Sequence, residues 1–292
     1  MSLPVPTHTS DVPDLSGRTI VVTGASAGIG AAAARRLHAA GARVLVVGRD
    51  PRKTAAVAQD VGEEPLVADF AELAQVRHLA EQILERTDRV DVLANNAGGT
   101  FSGRRDTVDG HELTFQVNHL APFLLTNLLR EVLVATQGSR VVVTSSAGNA
   151  FGRIDLDDLD LRRRRYFSMA AYGNAKLCNI LFARELGRRW GQAHGSGVTA
   201  TAFHPGVVAS EFGRDSALVG LLYRTPLKKV FTISPEAGAA PLVWLASRPD
   251  PGVVDGQYLD RFSPGKPNRQ ADDPFLAAGL WERSAAMVGI PA

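Results

Sequence analysis

The sequence predicts one α/β domain, a doubly wound parallel sheet with helices on both faces, and three observations predict it. Short β-branched runs alternate with longer helical patterns from Thr19 to Leu259, and such alternation needs crossover connections between parallel strands. The run Thr19-Ile20-Val21-Val22-Thr23 passes through Gly24, Gly28 and Gly30 into the alanine-rich stretch Ala31 to Ala40, the order of a strand, a tight turn and a helix N-terminus. The 292 residues, 45% of them hydrophobic, can bury a sizeable single core. About seven strands in the order 3-2-1-4-5-6-7 are expected within residues 17–260, after a flexible segment 1–16 and before an extension 261–292 packed on the same domain.

Composition narrows the function classes. With 32 Lys+Arg against 30 Asp+Glu the net charge is +2, which supplies no general field for nucleic acid or an acidic membrane and favours a small-molecule substrate. Cys178 is the single cysteine, so no intrachain disulfide forms. The start, Met1 to Gly17, has no basic region followed by an apolar run, and no apolar stretch elsewhere reaches roughly 18 residues, so no signal or membrane anchor is expected and the protein reads as cytoplasmic. The seven histidines show no i, i+4 pairing and no metal site is expected.

In chain order, the turn Gly24-Ala25-Ser26-Ala27-Gly28-Ile29-Gly30 can cradle a pyrophosphate on the open N-terminus of the first helix, or be an ordinary glycine turn with nothing bound. Arg43 to Val47 is a second, doubly buried strand, after which Arg49 suits a 2′-phosphate and Asp50 a ribose hydroxyl; Arg49 favours NADP(H) over NAD(H). Pro51 to Val61 is a helix and Leu66-Val67-Ala68 a third strand, with Asp69, beside Phe70, either meeting an adenine amino group or capping a helix from Ala71 to Arg86. A fourth strand, Val90 to Ala94, runs into Asn95-Asn96-Ala97-Gly98, whose small residues let backbone approach a flat ligand. Asn118 interrupts the apolar pattern of a helix expected from His111 to Ala135, as a kinking residue or as a member of a polar chain.

Arg140 to Thr144 is a fifth strand ending in Ser145-Ser146, followed by a loop, 147–170, whose acidic Asp155 to Asp160 and basic Arg162 to Arg165 read as a solvated surface insertion. Tyr172 opens a helix to Trp190, and Lys176, four residues on, shares its face. A nearby ammonium favours phenolate and would bring the Tyr172 pKa down toward a working acid/base. Ser146 can donate to a carbonyl oxygen gaining negative charge, or cap a turn. Gly197 to Phe203 is a sixth strand ending in His204-Pro205-Gly206; residues 211–233 read as a substrate lid; Ser234-Pro235 starts a helix to Ala246; and Gly256 to Leu259 is a last short strand.

Taken together these motifs resemble the short-chain dehydrogenase/reductase family. Thr23 to Gly30 matches its TGxxxGxG turn and Asn95 to Gly98 its NNAG, while Asn118, Ser146, Tyr172 and Lys176 fall in the order of its catalytic tetrad. The likeness covers Ser16 to Leu259. It implies a Rossmann fold and hydride transfer between nicotinamide and a carbonyl or alcohol. By the same resemblance Tyr172 is the acid/base, Lys176 binds the nicotinamide ribose and lowers the Tyr172 pKa, and Asn118 holds a relay water. The resemblance further implies that Gly24, Ser26, Ala27, Gly28, Ile29, Gly30, Arg49, Asp69, Phe70, Asn95, Ala97, Gly98, Pro205, Gly206, Val208 and Ser210 hold the cofactor, and that the chain forms a homodimer or homotetramer. Ser145 is the rival for the serine role.

One departure is informative: Ser146 and Tyr172 stand further apart than the family's usual spacing. That longer loop, with the stretch Lys176 to Phe182 and His204 to Val208, is similar to the retinol-dehydrogenase-like branch. An NADP(H)-dependent reductase of a medium to large apolar or aromatic carbonyl compound is the leading expectation. A cofactor-binding regulator without turnover is the alternative. A methyltransferase fits badly, since its cofactor offers no pyrophosphate to the glycine turn.

Overall fold

In the computed structural model, residues 12–191, 197–206, 233–248 and 255–292 are described. Strand β1 (Thr19–Thr23) leads into α1 (Gly28–Ala39), then β2 (Arg43–Gly48), α2 (Pro51–Asp60), β3 (Leu66–Val67), α3 (Leu73–Arg86) and β4 (Val92–Asn95). The chain continues through α4 (Leu113–Phe115), a π-helical turn (Gln116–Leu120), α5 (Ala121–Leu128), α6 (Arg130–Ala135) and β5 (Arg140–Thr144). After a 3-10 turn (Ala147–Phe151) come α7 (Ser168–Leu186), a second π turn (Gly187–Gly191), β6 (Thr199–His204), α8 (Pro235–Ser247), β7 (Tyr258–Asp260), β8 (Ser263–Pro264) and α9 (Pro274–Val288).

The sheet order is β3-β2-β1-β4-β5-β6-β7-β8, parallel up to β7. Alternate strand residues feed opposite cores, as the period of two dictates. Val21, Leu45, Leu93, Val141 and Val143 face α3, α5, α7 and α9. Ile20, Val22, Val44, Val46, Val92, Ala94 and Val142 face α1, α2 and α8. The sheet is thus buried on both sides, and the strand order reverses between β1 and β4, which opens a crevice beyond their carboxyl ends.

The eighth strand corrects the expected seven: β8 runs antiparallel to β7, with Leu259 paired to Pro264 and Asp260 to Ser263. Arg261, at φ 56, turns the chain between them. Two residues, one of them proline, leave no periodic signal to read. The helix expected from His111 to Ala135 is broken instead into α4, the π turn, α5 and α6. Pro122 has no N–H for the carbonyl of Asn118, and the Asn118 side chain donates to Thr114 O at 2.8 Å within the widened turn. Helix α3 starts at Leu73 rather than Ala71, its first N–H held by Asp109 Oδ2 at 2.9 Å.

The 147–170 insertion is not simply solvated. Asp158 is buried, accepts from the backbone N–H of Arg162 and of Arg163, and pairs with Arg164 at 3.3 Å. A buried carboxylate needs such partners, and here they fold the acidic half of the loop onto the basic half. The tail is tied in by Asn268, whose Nδ2 donates to Gly152 O at 2.8 Å, and by α9, whose Trp281 packs edge-on to Phe123 with ring centroids 5.0 Å apart. Cys178 on α7 is buried, and burial pushes its thiol pKa up. Among the described residues no helix is long and apolar enough to cross a membrane. The lid expected over 211–233, and Val208 and Ser210, lie outside the described residues apart from Ile233.

Candidate active site

The crevice is built first by backbone. Gly24 has φ 66, and a Cβ there would stand 2.7 Å from Ala97 Cα, so only glycine lets the turn after β1 meet the turn after β4. A Cβ on Gly30 would meet Gly24 O at 2.4 Å, which is why α1 begins tight against that turn. Thr23 Oγ1 clasps the two turns, accepting from Asn96 N and Ala97 N at 3.0 Å each, and Asn96 Nδ2 donates back to Thr23 O at 2.9 Å. Asn96 thus fastens the two turns, a role carried by its backbone N–H and its amide together. The N-cap of α1 is Ala27, which gives no side-chain cap, so the first N–H groups of the helix stay available to an anion.

At the end of β2, Arg49 is exposed, and Asp50 is engaged as the N-cap of α2, accepting from Lys53 N at 3.0 Å. Two of the expected cofactor positions have side chains engaged within the protein, which leaves their backbone as the part that faces the crevice edge. Asn95 turns away to donate to Thr126 Oγ1 at 2.8 Å, and Phe70 is buried in the core. Asp69 Oδ1 accepts from Ala71 N at 3.0 Å, holding the turn before α3 rather than capping the helix itself. Pro205 and Gly206 follow β6 at the same edge of the sheet, and Gly206 has φ 95.

The four tetrad side chains converge beyond β4 and β5. Lys176 is 1% exposed and its Nζ donates to Thr144 O, the last carbonyl of β5, at 3.1 Å. Nζ lies 5.6 Å from the centroid of the Tyr172 ring. Asn118 Oδ1 accepts from Gly99 N at 3.1 Å and its Nδ2 donates to Gly99 O at 2.9 Å. A Cβ on Gly98 would stand 2.4 Å from Asn118 Oδ1 and 3.1 Å from Lys176 Nζ, so this glycine keeps the two polar groups within reach of one small space. Ser146 hydrogen-bonds Tyr172 and accepts from Gly148 N at 3.1 Å. Ser145, its rival, is buried and donates to Lys176 O at 2.7 Å, which places it behind α7 rather than in the crevice.

The electrostatics depart from the simple expectation of a tyrosine lowered by a lysine. Burial pushes Tyr172 up to about 12, and the Ser146 hydrogen bond is what pulls it down. Burial brings Lys176 down to about 7. The cause is geometric: both groups are removed from water, and Nζ sits over the ring, bonded to a neutral carbonyl. Among the described residues no group of His, Cys, Asp or Glu could hold a metal ion.

A doubly wound sheet with this glycine turn at its switch point is an architecture that binds dinucleotides. A model of the short chain dehydrogenase family matches residues 18–157. A protein of Streptomyces sp. (strain C5), provisionally described as the daunorubicin C-13 ketoreductase DnrU, is 45% identical over 297 residues, covering 99% of each chain. Retinol dehydrogenase 13 of Homo sapiens is 40% identical over 289 residues, 95% of this chain and 86% of that one. A solved structure of an uncharacterised protein from Mycobacterium paratuberculosis superposes with a TM-score of 0.79 at 33% identity, covering 97% of this chain and 98% of that one. Another, from Beutenbergia cavernae and provisionally described as an NAD(P)-dependent gluconate 5-dehydrogenase, holds NADP at low occupancy; its TM-score is 0.64 at 29% identity, covering 86% of this chain and 96% of that one. The chain belongs to the short-chain dehydrogenase/reductase family, in its retinol-dehydrogenase-like branch.

Proposed function

We propose that the protein is an NADP(H)-dependent reductase of medium to large apolar or aromatic aldehydes or ketones, with residues 17–260 as one catalytic unit and 261–292 packed on it. The observation that carries this reading is the convergence of Ser146, Tyr172, Lys176 and Asn118 on one space beside Gly98. The cofactor fits the same edge. Its pyrophosphate would lie on the uncapped start of α1, along Ser26 to Gly30, and its adenosine end near Arg49, Asp69 and Phe70; Ala97, Gly98, Pro205 and Gly206 would line the nicotinamide side. Arg49, exposed at the end of β2, offers a guanidinium able to hold a 2′-phosphate bidentately, while Asp50 beside it caps α2 through Lys53 N.

When bound, the dinucleotide supplies the hydride to the substrate carbon. The chain supplies the rest. Tyr172, kept neutral by burial, donates its phenolic proton to the carbonyl oxygen, while Ser146 donates a second hydrogen bond to that oxygen as charge develops on it. Lys176, brought to about 7, is placed to return a proton to Tyr172, and Asn118 holds the adjoining backbone open beside it. The names of the two relatives, a ketoreductase and a retinol dehydrogenase, support a substrate of this size and polarity. The exposed Phe167 and Met169, at the start of α7 below Tyr172, add apolar surface at that end of the helix.

Titration of the protein with NADPH and NADH, alongside Arg49→Ala, tests the cofactor reading. NADPH binding weakened roughly ten- to hundredfold with NADH unchanged is expected from the loss of charge-assisted hydrogen bonds. Equal effects on both would remove Arg49 from the site. Tyr172→Phe should lower carbonyl reduction about 10²–10⁴-fold while leaving NADPH binding intact; retained turnover would overturn the acid/base role of Tyr172, whereas NADPH binding by the parent without turnover of any carbonyl compound would favour a regulator.

A further inference from the structure

The 3-10 turn that follows Ser146 is gripped from behind by a residue that the mechanism above does not use. Asn149, the third residue of that turn, is 3% exposed. Its backbone N–H and its side-chain Nδ2 both donate to Ser146 O, at 3.0 and 2.7 Å. Nδ2 also donates to Tyr258 Oη on β7 at 3.3 Å, and Oδ1 accepts from Asn268 N, in the tail, at 2.9 Å. The buried amide is therefore satisfied on both of its ends, as burial demands. Its orientation follows from its partners, since the Ser146 carbonyl only accepts and the Asn268 backbone N–H only donates.

The tail grips the same segment at two more points. Asn268 Nδ2 donates to Gly152 O at 2.8 Å. Gln270 pairs with the backbone of Ile154 in both directions, its Oε1 accepting from Ile154 N at 2.8 Å and its Nε2 donating to Ile154 O at 3.0 Å. On its other side the turn lies against the reacting groups. A Cβ on Gly148 would stand 3.2 Å from Tyr172 Cε1 and 3.5 Å from Ser146 Oγ, and one on Gly173 would meet Gly148 O at 2.7 Å. The turn is thus pressed between the tail and the Tyr172 end of α7.

We propose that Asn149 is a positioning residue for Ser146: held by β7 and by Asn268, it fixes the turn whose Gly148 N–H aims the Ser146 hydroxyl, so that the tail acts on the catalytic serine. Gly148 N donates to Ser146 Oγ at 3.1 Å, which occupies an acceptor site of the hydroxyl and leaves its proton for the substrate oxygen. Where that N–H points is decided by the step from Ser146 to Asn149. The backbone bond closing that step, Asn149 N to Ser146 O, is of the 3-10 kind, whose geometry is poorer than that of an α-helix. The second bond to the same carbonyl, from Asn149 Nδ2, is what holds the step in one conformation.

The proposal rests on the assignment of Ser146 as the carbonyl-oxygen donor, and a mutant cycle separates the two. The readout is reduction of cinnamaldehyde by NADPH. Asn149→Leu, similar in size but without hydrogen bonds, should lower kcat roughly tenfold with a smaller change in KM and unchanged NADPH binding. The same substitution in a Ser146→Ala background should change kcat by less than about twofold, because the hydroxyl it positions is gone. Asn268→Ala keeps the backbone N–H on Asn149 and loses the bond to Gly152 O. It should lower kcat roughly threefold, again only when Ser146 is present, and it decides the matter if Asn149→Leu does not fold. An equal loss in both backgrounds, or a folded single variant within about twofold of the parent, would overturn the positioning role. Full turnover by Ser146→Ala alone would instead overturn the assignment of Ser146 itself.

Discussion

Lys176 is the residue on which the pH behaviour turns. Transferring an ammonium out of water costs more than one neutral carbonyl returns, so its pKa falls from 10.5 to about 7. The sign follows directly: rising pH removes the Lys176 proton while Tyr172, near 12, keeps its own. Since kcat/KM reports the free enzyme, reduction should decline about tenfold per pH unit above about pH 7, and initial rates from about pH 6 to 9 check it. A level profile across that range would show that Lys176 does not set the proton supply. The residue types at this site were legible because they come in order along the chain. Which carbonyl holds the lysine was not, since Thr144 contributes backbone that any residue would offer.

At the scale of elements, the insertion between β5 and α7 is anchored by a small buried network. His111 Nδ1 lies 3.5 Å from Asp160 Oδ2, Glu112 N donates to Asp160 Oδ1 at 2.8 Å, and the Tyr166 hydroxyl donates to Glu112 Oε1 at 3.0 Å. The hydrogen bond to Asp160 raises the His111 pKa above 6.5, with burial opposing it. A group raised on folding contributes stability that is complete below its unfolded pKa and fades as pH climbs through the folded one. The melting-temperature gap between the parent and His111→Ala should therefore be widest near about pH 6 and narrow toward about pH 8; a constant gap would assign His111 a packing role alone. The same region shows where sequence reading ends. Strands and α1 were plain from period and glycine spacing, whereas the π turn and the folding-over of Asp158 rest on irregular local side-chain contacts that carry no period, and the docking of the insertion rests on Glu112 meeting Asp160, 48 residues away.

For the molecule as a whole, the sheet carries two separate cores and α9 completes one of them. Trp281 meets Phe123, Phe182 and Trp190 at ring-centroid distances of 5.0, 5.8 and 6.1 Å. Strand order and the helical layers followed from the alternation alone; the closing contribution of the tail did not, because the pattern after Arg261 is weak and its partners lie far back in the chain. Cys178 sits within this completed core, 1% exposed, with its thiolate disfavoured by burial. The chain therefore carries a single latent chemical reporter of its own opening. A thiol-specific reagent should leave the native protein unmodified on the timescale of assay and label one site per chain only as the core opens. Prompt labelling in native buffer would mean that α7 and α9 part readily. Slow labelling, its rate raised by denaturant, would let mass spectrometry follow the unfolding of the intact protein without any added probe.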